Sequence, residues 1–394
     1  MFQSWGIYSP KKVLFGVGEA LLLSKEIEIL GIRKNSKILL ILDPAMKEVE
    51  FLNKILNELS QKYEIDIYTD VEPEPSVDCA KRAAQHAIEI SPAAIIAIGG
   101  GSTIDLAKIT RAAMDNPDKG IEEFTGIERI PRVSTSLIAL PTTAGTGSEV
   151  TRYAVLTKGN IKMSPVSAKL IPDIAVVDPK LTVTAPPRVT AGTGLDVLCH
   201  AVEGMISIDA TSYSDMIGFR SIELVFGYLR RAFYKGTDIE ARYFMSMAAT
   251  LAGLGPLNTG RTILGHSIGQ TFGARYHVHH GISCGMSLPY IMEFYLPVAY
   301  KKLAKMAEAA GVRNSNTSDV EAANAMVKAT WELVIDLEVS SSLKKIGVPK
   351  EELKDMADST MRDWPRPNSP IELTVDRILE VYEAMYEGKL SRVQ

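Results

Sequence analysis

Short continuous apolar runs alternate with stretches of helical periodicity through the first half of the chain. Lys37-Ile-Leu-Leu-Ile-Leu-Asp43 reads as a buried strand, and a helical pattern spans about 46–60. Glu64-Ile-Asp-Ile-Tyr-Thr69 predicts a second strand, followed by a helix over about 76–90. Ala93-Ala-Ile-Ile-Ala-Ile98 predicts a third, running into three glycines, and Ser136-Leu-Ile-Ala-Leu140 a further one, running into Pro141. This alternation predicts a mainly parallel, Rossmann-like sheet with helices on its faces. After Pro186-Pro187 the rhythm changes to helix after helix, with Gly and Pro at the joints. The expected organisation is an α/β domain over 1–187 and an all-α domain over 188–394, with a ligand in the cleft between them.

Composition narrows the class. A length of 394 residues suits two domains. With 46% hydrophobic and 23% charged residues, the balance is that of an ordinary globular protein, and a net charge of −4 favours neither nucleic acid nor an anionic membrane. Cys79, Cys199 and Cys284 form no CxxC pattern and cannot all pair, which points to a reducing compartment. The N-terminus lacks the basic-then-apolar pattern of a signal peptide, and no apolar run reaches membrane-spanning length. A cytoplasmic protein is expected.

Candidate chemistry lies first in two loops. Gly99-Gly-Gly-Ser-Thr-Ile-Asp105 follows a strand and opens a helix. Gly99, Gly100 and Gly101 let the backbone approach a phosphate, the helix N-terminus offers free N–H groups, and Ser102 or Thr103 can cap that helix. Pro141-Thr-Thr-Ala-Gly-Thr-Gly-Ser-Glu149 also follows a strand and offers hydroxyls and glycines suited to phosphate, ribose and amide contacts. Two such loops at one sheet edge point to a nucleotide. Asp43, ending a strand, can accept from a ribose 2′-hydroxyl and repel a 2′-phosphate; equally, it can cap the turn at Pro44.

The second concentration is of metal-ligating types. Asp196 and His200 are four apart in a helical stretch and share one face. Of six histidines, four lie at 266–280. They are His266, His277, His279 and His280, among small, apolar and aromatic residues. Imidazoles buried there need partners, and a metal would supply them. One carboxylate with three imidazoles suits Fe(II), Zn(II) or a similar divalent ion, and an open coordination position can stabilise charge on a substrate oxygen. Spacing alone does not choose among His277, His279 and His280.

Taken together, Gly99-Gly-Gly-Ser-x-x-Asp105, Pro141-Thr-Thr-x-Gly-Thr-x-Ser-Glu149, Asp196-x-x-x-His200-Ala-x-Glu203-Gly204, His266 and His280-Gly281 resemble the iron-containing (group III) alcohol dehydrogenase family, of dehydroquinate synthase-like fold, over nearly the whole chain. The resemblance implies NAD(P)-linked interconversion of an alcohol and an aldehyde or ketone, and a homodimer or larger homo-oligomer. It implies Asp196, His200, His266 and His280 as ligands and catalytic centre. It implies cofactor contacts from Asp43, the glycine turn with Ser102 and Asp105, and Thr142, Thr143, Thr146 and Ser148. Lys162 and Leu181 fall at further cofactor positions, and Asp43 favours NAD over NADP. Two departures stand out. Many members carry a proton-exchanging His where this chain has Gln270, which cannot titrate, so His277, His279 or water would serve. The segment before His266 is one residue longer and carries Arg261, which could bind an acid-bearing substrate such as a hydroxy acid, keto acid or maleylacetate-like compound. A sugar-phosphate cyclase on the same fold would need a basic phosphate cluster near the ligands, which the sequence does not show.

Overall fold

In a computed structural model that describes residues 4–159 and 161–392, the runs of β-branched and leucine residues form one six-stranded sheet. Its strands are β1 (Lys12–Phe15), β2 (Lys37–Leu42), β3 (Glu64–Tyr68), β4 (Ala94–Gly99), β5 (Ser136–Pro141) and β6 (Ile174–Val177). Every pairing is parallel, in the order β1-β6-β5-β4-β2-β3. The central strands are continuous hydrophobic runs because both faces are covered. Leu39, Ile41, Ile95, Ala97, Leu137 and Ala139 face a core shared with α3 (Val77–Ile90) and α4 (Gly101–Asp115). The alternate residues Ile38, Leu40, Ile96, Ile98, Ile138 and Leu140 face a second core, with Leu23 and Ile27 of α1 (Leu23–Ile29) and Leu52, Ile55 and Leu59 of α2 (Glu50–Ser60). The helix expected from 46 starts later, because Asp43 caps a separate 3-10 turn over Pro44–Met46. Strands β1 and β6, four residues each, add to those expected from the sequence.

The described residues fold as two units, 8–185 and 186–392, the latter joined by residues 4–7. The N-terminal residues thus group with the helices rather than the sheet; Trp5 stacks on Tyr213 at a centroid distance of 5.7 Å. The helical unit is built on α5 (Pro187–Ile206), in which 17 of 20 residues are buried, so it is enclosed all round rather than amphipathic. Against it pack α6 (Ser212–Tyr234), α7 (Ile239–Ala252), α8 (Leu264–Tyr276) and α9 (His280–Ala309). A π-helical segment, Gly253–Gly260, also lies on α5; a side chain at Gly204 would come 2.5 Å from the Pro256 carbonyl oxygen. Helices α10 (Asp319–Asp336), α11 (Leu353–Asp363) and α12 (Val375–Glu387) complete the unit. No helix among the described residues is long and apolar enough to cross a membrane.

Candidate active site

Three helices of the second unit bring the predicted ligands together. Asp196 and His200 stand one turn apart on α5, His266 is in the first turn of α8, and His280 opens α9. The Nε2 atoms of His266, His200 and His280 lie 3.5, 3.7 and 3.8 Å from a single oxygen, Asp196 Oδ1. Donors about 2.1 Å from a common centre stand about 3.4 Å apart in a tetrahedron, so these separations leave room for one ion. Asp196, His200 and His266 are 2%, 5% and 3% exposed, and Asp196 Oδ1 and His266 Nε2 make no hydrogen bond of ordinary geometry. Buried polar atoms left in this state need a partner, which a cation would be. His280 is the more open member, its side chain 26% exposed.

The close approach of α9 to α5 that delivers His280 depends on Gly281, where a Cβ would run into the Gly192 carbonyl and come 3.2 Å from the Asp196 Cβ. His277 and His279 do not join the cluster. His277 is exposed and ends α8 in the left-handed conformation (φ 54°), while His279 is exposed at the N-cap of α9.

Glu203, one further turn along α5, carries a role its place in the sequence motif did not disclose. Its Oε1 lies 2.7 Å from His266 Nδ1, and its Oε2 accepts from the backbone N–H groups of Ile263 (2.7 Å) and His266 (3.3 Å). An Nδ1–H donated to Glu203 leaves the His266 Nε2 lone pair aimed at Asp196. Burial opposes a charge on His266, but Glu203 and Asp196 together outweigh it and push its pKa up to about 9. Burial works against Asp196 as well, yet the surrounding imidazoles hold its carboxyl below the usual range. For His200 burial prevails and lowers its pKa. Cys284, one turn after His280, places its Sγ 3.8 Å from both ring nitrogens of that histidine.

In the α/β unit, the glycine and threonine loops leave adjacent strand ends. Gly99 of β4 is in register with Pro141 of β5, and Thr142 N–H donates to the Gly99 carbonyl at 3.0 Å. A Cβ on Gly101 would come 2.7 Å from Thr146 Cγ2, and one on Gly100 3.3 Å from Thr143 Oγ1, so the loops pack directly on each other. Asp43 follows β2, and its N–H donates to Ile98 O of β4 at 2.9 Å. β2 is flanked by β3 on one side and β4 on the other, which makes its carboxyl end the switch point where open α/β sheets bind nucleotides.

The cap of α4 is Gly100, not Ser102 or Thr103; Ser102 Oγ instead accepts from Glu74 N–H at 3.1 Å. Asp43 Oδ1 caps its own turn through Ala45 N–H at 2.9 Å, so the residue is at once a cap and a strand-end carboxylate. Asp105 and Ser148 face inward. Ser148 Oγ donates to Asp105 Oδ1 (2.5 Å), whose other oxygen accepts from Val155 N–H (3.0 Å). Lys108, unmarked by any motif, donates to Ser148 Oγ (2.8 Å) and to the carbonyls of Thr151 (3.0 Å) and Tyr153 (2.6 Å). Its burial brings the ammonium pKa down to about 8. This cluster fastens the threonine loop to α4. Lys162 pairs with Glu74 at 2.9 Å, and Leu181 is fully buried in the core under β2, β4 and β5.

The two departures are also placed. Arg261 is ion-paired to Asp209, with Nε 2.8 Å from Oδ2. Gln270 lies on α8, its Oε1 3.5 Å from Arg366 Nη2.

The chain matches two family descriptions, iron-containing alcohol dehydrogenase over residues 10–179 and Fe-containing alcohol dehydrogenase family, C-terminal, over residues 190–386. It is 34% identical over 373 residues to the long-chain-alcohol dehydrogenase 1 of Geobacillus thermodenitrificans, covering 93% of each chain. A crystal structure of 1,3-propanediol oxidoreductase superposes with a TM-score of 0.92 at 28% identity, covering 98% of this chain and all of that one. The sulfoacetaldehyde reductase of Bifidobacterium kashiwanohense, solved in complex with NAD+, gives 0.87 at 28% identity, covering 98% and 99%. On these grounds, and with the fold they share, the chain belongs to the iron-containing alcohol dehydrogenase family.

Proposed function

We propose that Asp196, His200, His266 and His280 hold one divalent ion, Fe(II) or alternatively Zn(II), and that Asp43, Gly99–Gly101 and the Thr142–Thr146 loop bind NAD. As a member of its family, the chain is an oxidoreductase that interconverts an alcohol and an aldehyde or ketone. The supporting observation is the convergence of three imidazole Nε2 atoms on one buried carboxylate oxygen. A divalent ion held there supplies Lewis-acid stabilisation of charge on the substrate oxygen. NAD supplies the hydride acceptor.

The chain's own residues do the rest. Asp196 offsets part of the cation's charge, and Glu203 keeps His266 in the donating tautomer. Burial of Asp196, His200 and His266 excludes water from one side, and the partial exposure of His280 marks the side open to a small substrate. The α4 N-terminus and the glycine backbone counter a pyrophosphate. The Asp43 carboxylate accepts from a ribose hydroxyl and repels a 2′-phosphate, favouring NAD over NADP.

The acid-bearing alternative, motivated by Arg261 and by Gln270, is the less favoured reading, since the Arg261 guanidinium is engaged by Asp209. Three buried cysteines, none in a disulfide, support a reducing, cytoplasmic setting. A homodimer or larger homo-oligomer is the assembly the family resemblance implies, and sedimentation would test it.

The test is elemental analysis of anaerobically purified protein, followed by NAD-linked turnover of an alcohol and hydroxy-acid panel. One divalent ion per chain and activity that disappears on chelation and in Asp196→Asn are expected. Metal-stripped protein that keeps full activity with every alcohol refutes the reading.

A further inference from the structure

Beyond the four ligands, a fifth donor belongs to the same cluster. Donor atoms of Asp196, His266, His280 and Cys284 all lie within 4.8 Å of one another. Cys284 stands four residues after His280 on α9, as His200 stands four after Asp196 on α5, so each helix turns an i,i+4 pair toward the centre. Gly269, one turn beyond His266 on α8, opens the space for the sulfur: a Cβ there would lie 2.8 Å from Cys284 Sγ. The thiol is fully buried, and among its neighbours Asp196 Oδ1 and His266 Nε2 are buried atoms without a hydrogen bond.

We propose that Cys284 is an alternative soft ligand of this ion site, giving it an Asp-His-His-Cys donor set beside the Asp-His-His-His one. This rests on the metal reading above. With a thiophilic cation the S–H bond breaks, the proton leaves to solvent, and a sulfur–metal bond forms without any oxidant or reductant. Thiolate favours Zn(II) and Cd(II) over Fe(II). Cys284 therefore biases the site toward zinc-type ions and is a determinant of metal selectivity rather than a participant in hydride transfer.

The experiment loads the full-length protein with Co(II) and, separately, Cd(II), and records absorption from the near ultraviolet to the visible. Wild type is expected to show a thiolate-to-metal charge-transfer band together with visible cobalt bands. Cys199→Ser should keep the ultraviolet band, and Cys284→Ser and Cys284→Ala should lose it while still binding cobalt. Their affinity for Cd(II) should drop about tenfold or more. Cobalt bound by wild type without a sulfur band, or a band that survives in Cys284→Ser, overturns the inference and leaves the metal site standing. Failure of wild type to retain cobalt overturns both.

Discussion

Glu203 touches no reacting atom in the proposed site, yet it governs a residue that does. Its carboxylate holds the His266 Nδ1–H and helps raise the pKa of that imidazole to about 9 in the metal-free protein. A cation entering below that pH must displace a proton from His266, so apparent metal affinity should rise about tenfold per unit between pH 7 and 9 and level off above. The sign is set by a raised pKa. The charged His266–Glu203 pair stabilises metal-free protein fully below the ordinary imidazole range, and that contribution fades as pH climbs through about 9. In Glu203→Gln, chelator competition should show the midpoint moving down toward the ordinary imidazole range. Affinity on the plateau should be about 10–100-fold weaker. An unchanged midpoint would remove Glu203 from this role. A second residue-level prediction concerns Asp43, whose Oδ1 also caps its turn. Asp43→Asn preserves an acceptor for that cap but removes the negative charge, so kcat/KM for NADP relative to NAD should rise at least tenfold with little change in Tm. Equal ratios in the two proteins would assign Asp43 to capping alone.

At the level of elements, the two cofactor loops act as one because each fills space the other leaves. Gly101→Ala would place a methyl 2.7 Å from Thr146 Cγ2 and 2.8 Å from its Oγ1. Overpacking of this kind costs about 1–3 kcal/mol. The expected reading is a KM for NAD raised about tenfold or more with kcat much less affected, and partial recovery in Gly101→Ala/Thr146→Ala, which removes the first two atoms met. A KM left unchanged would mean the loops adjust independently. The sequence made these elements visible to different degrees, for physical reasons. β2, β4 and β5 stood out because burial on both faces demands unbroken apolar runs. β1 and β6 are four residues long, too short for a periodicity to register. Gly253–Gly260 reads as a glycine and proline joint, and it is helical because it lies against α5, a tertiary contact that local pattern does not encode. Asp196 and His200 were legible from helical spacing, and the same spacing reaches Glu203 and, from His280, Cys284. Choosing His280 from three neighbours needed either the family resemblance or the start of α9 at His280, with His277 left behind as a cap. Lys108 was hidden because two of its three hydrogen-bond partners are backbone carbonyls.

On the scale of the whole molecule, the chain comprises two units, and each proposed ligand draws its named contacts from one of them. A ligand that binds only folded protein stabilises it by RT ln(1 + [L]/Kd), about 2.7 kcal/mol at one hundred times Kd. That stabilisation falls first on the unit whose groups it contacts. Removing the ion leaves Asp196 and Glu203 buried on α5, a helix enclosed on all sides, and His266 buried on α8, with the neighbouring imidazoles and the Arg366 guanidinium as the groups that offset their charge. Chelation should therefore speed amide hydrogen exchange in α5 and in the first turns of α8 and α9, while β2, β4 and β5 keep their protection. NAD added to chelated protein should slow exchange at residues 99–105 and 142–150 and leave α5 as it was. Tm measured by a single probe would blur this, because the two transitions need not coincide. Exchange resolved along the sequence separates them. Equal acceleration in both units on chelation would mean that the ion stabilises the molecule as one cooperative body. The contrary pattern, a sheet loosened while α5 stays protected, would place the cation somewhere other than between Asp196 and the three imidazoles.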